Sequence, residues 1–569
     1  MQRTHFGPRN LKACQRCFKR KIKCVKNDTD KKCTYCTKKG YHCEKRKLID
    51  IYYTKSTHVP AFQRNFKAFE ALSNSVQFFE FVCQGLEATF SIDAGKFEIP
   101  ELNINESFLD YSFLKRPQSM GALFALDFPD EATGFALFEQ AKTVISYDTQ
   151  VMLHKSTADF LKKVYEPSHI VNVSDDETRL ELLRIFGIFA IGRLHTTGEV
   201  VPEEYPGLGY FKIALHLMTD IYDNPSISYI ECIIILTLYL VGLNKLNYAY
   251  MYSGMSLRLS ILIKLDDPRT YLRRDISELQ KERMRRLWCT VRSMDFYMSG
   301  CLGCQPQTKF DQVFEYPSDQ TYGDELPTGL FIRERARLGE LKYRILSVIL
   351  ETGDPKIQDV LDQFHERSQA IAYAFSELSH QFEQTIFLRL AFALVFRLNE
   401  CIILATLPGF LQELRPESLQ LLKLSDSSNI STTCIIAAIS NLRTYEFLFK
   451  KANISLFGFI DTNFLFLSSI ILLLARYLWS RKPQNIDIEE AWDDCMTLFG
   501  ELTKTGNVTA NEYLNKIMHL RNLLSILEKH IKPMESLSEG IDQEEHVTSS
   551  PLDTSRFFHF EIVQSLARE

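Results

Sequence analysis

Residues 14–43 read CQRCFKRKIKCVKNDTDKKCTYCTKKGYHC and hold six of the 14 cysteines in the chain. The spacing Cys-x2-Cys-x6-Cys occurs twice, first from Cys14 and again nineteen residues later from Cys33. A two-residue gap lets two thiolates bind one zinc ion from the start of a helical turn, and the third cysteine returns across the loop. The predicted metal ligands are Cys14, Cys17, Cys24, Cys33, Cys36 and Cys43.

The number of thiolates predicts a shared centre. Two tetrahedral zinc ions need eight ligand positions, so two of the six sulfur atoms must bridge, and the pseudo-symmetry favours Cys14 and Cys33 for that role. His42 is the alternative ligand, with a solvent-facing histidine as the competing interpretation. Disulfide pairing is a further alternative. It is disfavoured because residues 1–12 lack an apolar signal core and the other eight cysteines are scattered.

These residues resemble the six-cysteine binuclear zinc cluster of fungal transcription factors. The segment CFKRKIKC, residues 17–24, is similar to the family's basic Cys-Arg-x-Arg-Lys-x-Lys-Cys segment, with Phe18 where the family usually has arginine. The loop of residues 25–32 lacks the proline that the family often has there. The resemblance implies a DNA-binding domain over residues 1–47, two Zn(II) ions per chain, double-stranded DNA as the partner and the nucleus as the location.

Charge is distributed very unevenly along the chain. Residues 1–50 hold 16 Lys and Arg against 4 Asp and Glu, while the remaining residues hold 50 against 67. This basic head on an acidic body predicts a polyanion-binding module attached to a second unit. The long cations between Cys17 and Cys24 suit guanine edges in the major groove.

The resemblance makes Lys21 the principal contact to a CGG-type triplet, with Arg20 beside it. Other cations of residues 1–47 are better assigned to DNA phosphates, which fix position without specifying sequence. These predicted phosphate contacts are Arg16, Lys19, Lys23, Lys26, Lys45, Arg46 and Lys47. The last three also fit a nuclear import signal.

Residues 48–110 form a predicted connector with one helical stretch, residues 62–82. Its apolar residues follow a short heptad pattern. The two heptad positions hold Phe62, Phe69, Val76 and Cys83, and Asn65, Leu72 and Phe79. Two interpretations remain: a short coiled coil that makes a homodimer, or a helix that packs on the body.

Residues 111–532 predict a large all-helical body, because apolar residues recur at three- and four-residue spacing. The chain is therefore predicted to be mostly α, with a small zinc domain before a helical regulatory body. The clearest helical runs are residues 229–264, 278–299, 341–350, 383–405, 432–451 and 511–530. Within residues 228–317, YLVGLNKLNYAYMYSGMSLR at 239–258 and ERMRRLW at 282–288 resemble the middle-homology region of the same fungal regulators. Cys289 and Phe296 depart from that pattern.

No catalytic pattern is evident, so the chain is not predicted to be an enzyme. It has no phosphate-binding glycine loop and no Ser/His/Asp signature. The Cys301-x2-Cys304 pair around Gly303 fits a helix-ending turn better than a redox site. Arg285 and Arg286 with Asp295 predict a buried ion-pair network. No uninterrupted apolar run reaches the roughly 20 residues that cross a bilayer, which predicts no membrane partner.

Residues 533–569 form a predicted acidic C-terminal tail. Six acidic residues and no lysine or arginine lie between Pro533 and Ser555, and the aromatic run FFHFEIV follows at 557–563. Such a segment is typical of disordered activation regions that bind a coactivator. A final helix docked on the body is the alternative.

Together these features predict a nuclear, sequence-specific transcription factor that regulates RNA polymerase II. The same layout fits a structural subunit that binds centromeric DNA, since a fungal kinetochore component resembles it in arrangement. That subunit is the alternative function.

Overall fold

The computed structural model divides the chain into two compact units, residues 1–67 and residues 68–569. Within the first unit it describes residues 33–39, where helix α1 spans Thr34–Lys38. Within the second unit the described residues are 75–90, 128–166, 175–196, 205–218, 225–308, 314–352, 369, 384–413, 427–451, 454–478 and 487–535.

The second unit is a helical body, as the three- and four-residue periodicity predicts. Its described residues hold helices and one isolated bridge, between Tyr322 and Leu326. The helices are α2 (Ser75–Phe90), α3 (Glu131–Lys142), α4 (His154–Tyr165), α5 (Asp176–His195), α6 (Leu208–Leu217), α7 (Ile227–Gly242), α8 (Leu246–Leu262), α9 (Glu278–Cys301), α10 (Leu330–Thr352), α11 (Gln384–Glu413), α12 (Ser427–Lys450), α13 (Phe459–Leu478), α14 (Ile488–Lys504) and α15 (Val508–Glu535). A π-helical segment, Thr143–Asp148, follows α3, and a 3-10 helix spans Pro268–Leu272.

Short polar side chains fix where several of these helices begin. Asp175 accepts a hydrogen bond from the Thr178 amide at 2.8 Å, and Ser226 accepts one from the Tyr229 amide at 3.1 Å. Ser277 caps α9 in the same way. Each bond satisfies one of the amides that the first turn of a helix leaves without a partner.

The predicted run of residues 229–264 is two helices rather than one. Asn244 adopts a left-handed conformation with φ 55°, and the Lys245 amide donates to the Leu240 carbonyl at 2.9 Å. This geometry terminates α7 because asparagine tolerates the left-handed region better than most residues. Hydrophobic periodicity continues across the turn, so it gave no sign of the break.

Successive helices pack on one another through most of the body. Neighbours in the sequence from α7 to α13 form packed pairs, and α5 also packs on α3, α6 and α7. Aromatic rings fill the layers between helices: the Phe466 and Tyr513 rings stack with their centroids 4.1 Å apart. This packing surrounds α9, α10 and α11 with other helices.

Two core helices are long and apolar enough to span a membrane. Residues Thr385–Leu411 and Phe459–Tyr477 have mean hydropathy of 1.9 and 1.6, and 83% of each apolar window is buried inside the body. The expectation that no segment reaches this length was therefore wrong, because it counted uninterrupted apolar runs and these helices include charged residues. Core packing accounts for their composition.

Helix α2 of the connector lies against the body. Phe78 and Phe79 are buried, and the Phe79 ring lies 6.1 Å from the Phe466 ring of α13. Cys83, at a predicted heptad position, is buried as well. The interpretation that this helix packs on the body holds for residues 75–83. The other heptad residues, 62–72, lie outside the described residues, and the homodimer stays a prediction.

Candidate functional site

Two of the six predicted zinc ligands lie in the described part of the first unit. Cys33 precedes α1 as its N-cap residue, and Cys36 follows one turn later; both side chains are buried. The Cys36 amide donates to the Cys33 Sγ atom at 3.5 Å. An amide directed at a sulfur favours the thiolate form, which is the form that binds metal. Both sulfur atoms therefore lie on one helical turn, the arrangement through which a Cys-x2-Cys pair would bind a zinc ion.

The remaining predicted ligands and DNA contacts lie outside the described residues. These are Cys14, Cys17, Cys24 and Cys43 for zinc, and Arg16, Lys19, Arg20, Lys21, Lys23, Lys26, Lys45, Arg46 and Lys47 for DNA. The acidic tail beyond α15 also lies outside them. Within the described part of the chain, no group of three or more His, Cys, Asp or Glu side chains is arranged to hold a metal ion.

In the body, a buried carboxylate of α7 joins three helices. Glu231 is 1% exposed and accepts two hydrogen bonds from Arg283 of α9, at 2.6 and 2.7 Å. Arg184 of α5 donates to the same carboxylate at 3.0 Å and also pairs with Glu181. These charge-assisted bonds keep the pKa of Arg184 above its usual value even though burial lowers it.

A second buried carboxylate, Glu282, directly precedes Arg283 in the ERMRRLW segment. Glu282 and Arg286 form an ion pair at 2.9 Å, and both are 0% exposed. Glu282 also accepts from the Ser318 amide at 3.0 Å, while Arg286 donates to the carbonyls of Gln320 and Pro327. This pair therefore holds the loop that precedes α10 against α9.

We call these two groups together the motif cluster. Its members carry four positive and four negative charges. They are Arg184, Arg283, Arg285, Arg286, Glu181, Glu231, Glu282 and Glu315. Every charge in it has an opposite charge within ion-pair distance, which is the arrangement of a structural network.

Asp295 was wrongly predicted to belong to this network. Its Oδ2 atom accepts hydrogen bonds from the Gln307 amide at 2.8 Å and from the Thr308 amide and hydroxyl at 2.9 and 2.8 Å. Asp295 thus fixes the loop that follows α9. Burial raises its pKa in spite of these hydrogen bonds.

The Cys301-x2-Cys304 pair is a helix-ending turn, as predicted. Helix α9 ends at Cys301, and Gly303 adopts a left-handed conformation with φ 65°. The Cys304 amide then donates back to the Ser299 carbonyl at 2.8 Å, which closes the end of the helix.

A cavity of about 90 Å³ lies between α7, α9, α10, α11 and α13. Its walls include apolar side chains of each of these helices. Examples are Leu238, Val241, Met294, Leu338, Leu346 and Phe464. A second cavity, also of about 90 Å³, shares Asp148 and Arg397 with the first and extends toward His195, Arg389 and Asp461.

The charged side chains of these cavities form a second group, the cavity cluster. Six of its seven members form three ion pairs, which are Arg335–Asp148 at 3.1 Å, Lys342–Glu400 at 2.6 Å and Arg389–Asp461 at 2.6 Å. Arg397 is the seventh member, and its Nη1 atom donates to the Ala393 carbonyl of its own helix at 2.9 Å. It forms no ion pair among the described residues.

These charges influence one another across the cavities. Burial raises the pKa of Asp148, but Arg335, Arg397 and Arg389 together hold it below its usual value. The pKa of His195 falls to about 4, because partial burial disfavours the charged ring and Arg389 lies nearby. His195 is therefore neutral at physiological pH.

The cavity cluster was not predicted from the sequence. A signal was present, because Arg397 and Glu400 interrupt an otherwise apolar helix, and charged residues are rarely buried without a partner. Nothing in the linear order, however, places them beside Asp148 or Arg335.

Comparison with known families identifies the middle of the chain. A model of the fungal specific transcription factor domain matches residues 147–335. The match runs from the π-helical segment through α9 and into α10, and it contains all eight residues of the motif cluster. It supports the middle-homology resemblance of residues 228–317. No curated protein matches the chain.

Proposed function

We propose that this protein is a nuclear, sequence-specific DNA-binding regulator of RNA polymerase II transcription. The observation that carries the proposal is the domain match at residues 147–335, which lies behind a basic segment with the six-cysteine spacing. Fungal transcription regulators combine these two parts. In this proposal the residues 1–47 bind DNA, and the helical body regulates activity or assembly.

The DNA-binding unit would hold two Zn(II) ions through its six cysteines, with Cys14 and Cys33 shared. The buried Cys33–Cys36 turn supports this ligand set, since it presents two sulfur atoms on one helical turn. Zinc would supply the folding energy of a unit too small to bury a sizeable core, on the order of 10–16 kcal/mol. Elemental analysis should give two zinc ions per chain; one per chain contradicts the shared-thiolate arrangement.

Site selection with two variants tests how the unit binds DNA. Lys21→Ala should remove about 1–3 kcal/mol of discrimination at one guanine of a CGG-type triplet, because a base contact is lost. Lys45→Ala is the matched variant and should weaken binding to all sequences alike, with the salt dependence reduced by about one phosphate contact. If the two variants behave identically, the assignment of Lys21 as a base contact is wrong.

The second candidate function is a structural subunit that binds centromeric DNA. The overall layout, a cysteine cluster followed by a helical body, also fits this subunit, but the domain match at residues 147–335 favours the regulator. Mapping of genomic occupancy separates the two. Scattered promoter sites support the regulator, whereas one site per chromosome supports the centromeric subunit.

A coactivator partner for the acidic tail is a further part of the proposal. Residues 533–569 fused to an unrelated DNA-binding domain should activate a reporter. That activation should fall when Phe557, Phe558 and Phe560 are changed to alanine, because aromatic side chains would bind the coactivator groove. A silent fusion, together with destabilisation of the full chain when it is truncated at residue 555, would assign the tail to the structure of the body.

A further inference from the structure

Arg397 differs from the other three cations of the cavity cluster, since it has no carboxylate partner among the described residues. Arg335, Lys342 and Arg389 each pair with a carboxylate at 2.6–3.1 Å. The described cluster thus holds four positive and three negative charges. One positive charge remains in excess at the boundary between the two cavities.

This excess charge cannot be removed by losing a proton. Burial lowers the pKa of Arg397, Asp148 raises it in part, and Arg335 lowers it further. Arginine nevertheless stays protonated in proteins. The Arg397 side chain is partly buried, and a cation withdrawn from water destabilises the fold unless a counter-charge or a set of hydrogen bonds compensates it. Its single described hydrogen bond, to the Ala393 carbonyl, leaves most of its N–H donors for another acceptor.

Both cavities open onto this guanidinium group. Each is about 90 Å³, whereas about 10–15 Å³ is enough for the centre of one water molecule. Each therefore has room for several water-sized groups. The walls of both cavities are largely apolar, and Leu238, Val241 and Ile460 line both of them. A ligand that fills them needs one negative end and an apolar remainder.

We propose that the cavities around Arg397 are a binding site for a small organic monocarboxylate. The carboxylate pairs with the Arg397 guanidinium, whose planar donors match two carboxylate oxygens. The apolar part of the ligand lies among Leu238, Val241, Met294 and Leu338. One negative charge neutralises the cluster, whereas a phosphate would bring a second charge into apolar surroundings.

The site goes beyond DNA binding and gives the helical body a ligand of its own. Helix α9 links it to the rest of the body, because α9 carries Thr290 and Met294 in the cavity wall and Glu282 and Arg286 in the motif cluster. A ligand bound at Arg397 would therefore stabilise the packing of α9 against α10 and α11.

Calorimetry and thermal unfolding of the full chain test the proposal. The probes are isobutyrate, 4-methylpentanoate and phenylacetate, each compared with its neutral amide. At least one carboxylate should bind and raise Tm, and its amide should bind roughly tenfold to a hundredfold more weakly, since it cannot neutralise Arg397. Equal binding of acid and amide, or no binding of any carboxylate at millimolar concentration, overturns the proposal.

Variants at Arg397 separate a ligand-binding role from a structural one. Arg397→Met should abolish the response to carboxylates and raise the Tm of the ligand-free chain by a few degrees, because it removes an uncompensated charge. Arg397→Lys keeps the charge and should bind more weakly, because it lacks the planar donor pair.

The matched control is Arg269→Gln, at an exposed arginine that pairs with Asp267 outside the cavities. This variant should change neither the response to carboxylates nor the Tm of the ligand-free chain. Undiminished carboxylate binding by Arg397→Met, or a lowered Tm of that ligand-free variant, rejects the site. If Arg397→Met does not fold, Arg397→Lys provides the test. Carboxylate binding by Arg397→Lys as tight as that of the unaltered chain would then reject the site.

Discussion

The motif cluster and the cavity cluster are built from the same residue types, yet they differ in charge balance. In the motif cluster four arginines meet four glutamates, and Glu231 and Glu282 are almost completely buried. In the cavity cluster four cations meet three carboxylates beside open space. A balanced network holds helices together, whereas an unbalanced one beside a cavity provides a place for a ligand.

The difference follows from what each cluster joins. The motif cluster ties α5, α7 and α9 and the loop before α10 together, and each of its charged groups has an oppositely charged partner. The cavity cluster lies where five helices meet without filling the space between them. Buried ion pairs contribute little net stability, but removing one partner leaves a costly unpaired charge. Single substitutions should therefore have different effects in the two clusters.

The largest effect is expected at Glu282. Glu282→Gln should lower the free energy of unfolding by about 3–5 kcal/mol, because Arg286 is left buried without a counter-charge. The control is Glu139→Gln, which removes an exposed pair with Lys142 and should cost less than about 1 kcal/mol. Denaturant unfolding measures both. If the free energy of unfolding falls by a similar amount in the two variants, a buried ion pair of the motif cluster contributes no more to stability than an exposed one.

The next effect concerns pH and the cavity cluster. The pKa of His195 is about 4 in the folded chain against 6.5 for a free histidine. Between these values the unfolded chain binds a proton that the folded chain does not, so stability falls as pH drops through this window. His195→Gln should abolish on the order of 2 kcal/mol of that loss, given about 1.36 kcal/mol per pKa unit.

The measurement is the free energy of unfolding at about pH 7 and about pH 5, for the unaltered chain and for His195→Gln. Burial and the nearby Arg389 both disfavour a positive charge on His195, which is why this site resists protonation. An unchanged pH dependence in the variant contradicts that interpretation.

The smallest effect is expected at Arg335. Arg335→Met removes the ion-pair partner of Asp148 but leaves the positive charge of Arg397 near it. The free energy of unfolding should therefore fall by only about 1–2 kcal/mol. Glu282→Gln in the motif cluster leaves Arg286 without a second carboxylate among the described residues and should cost about 3–5 kcal/mol. Denaturant unfolding of both variants tests whether Arg397 stabilises the negative charge of Asp148 when Arg335 is absent. Equal losses would mean that Asp148 gains nothing from Arg397.

Much of the fold could be predicted from local patterns. The three- and four-residue spacing of apolar residues predicts the helical body, and the cap residues Asp175, Ser226 and Ser277 mark where helices begin. The Gly303 turn at the end of α9 was predicted as well. These features depend on residues a few positions apart, so the linear sequence contains them. The break at Asn244 escaped prediction because periodicity does not report backbone conformation.

The sequence by itself determined the cysteine spacing, the basic head and the helical character of the body. Only the tertiary structure decided which charges meet. Asp148 and Arg397 lie far apart in the sequence yet share both cavities, and Glu231 pairs with Arg283 across 52 residues. Asp295 turned to its own loop instead of the arginines nearby in sequence. The pairing of buried charges depends on how helices pack, because an ion pair forms only where two side chains reach each other away from water.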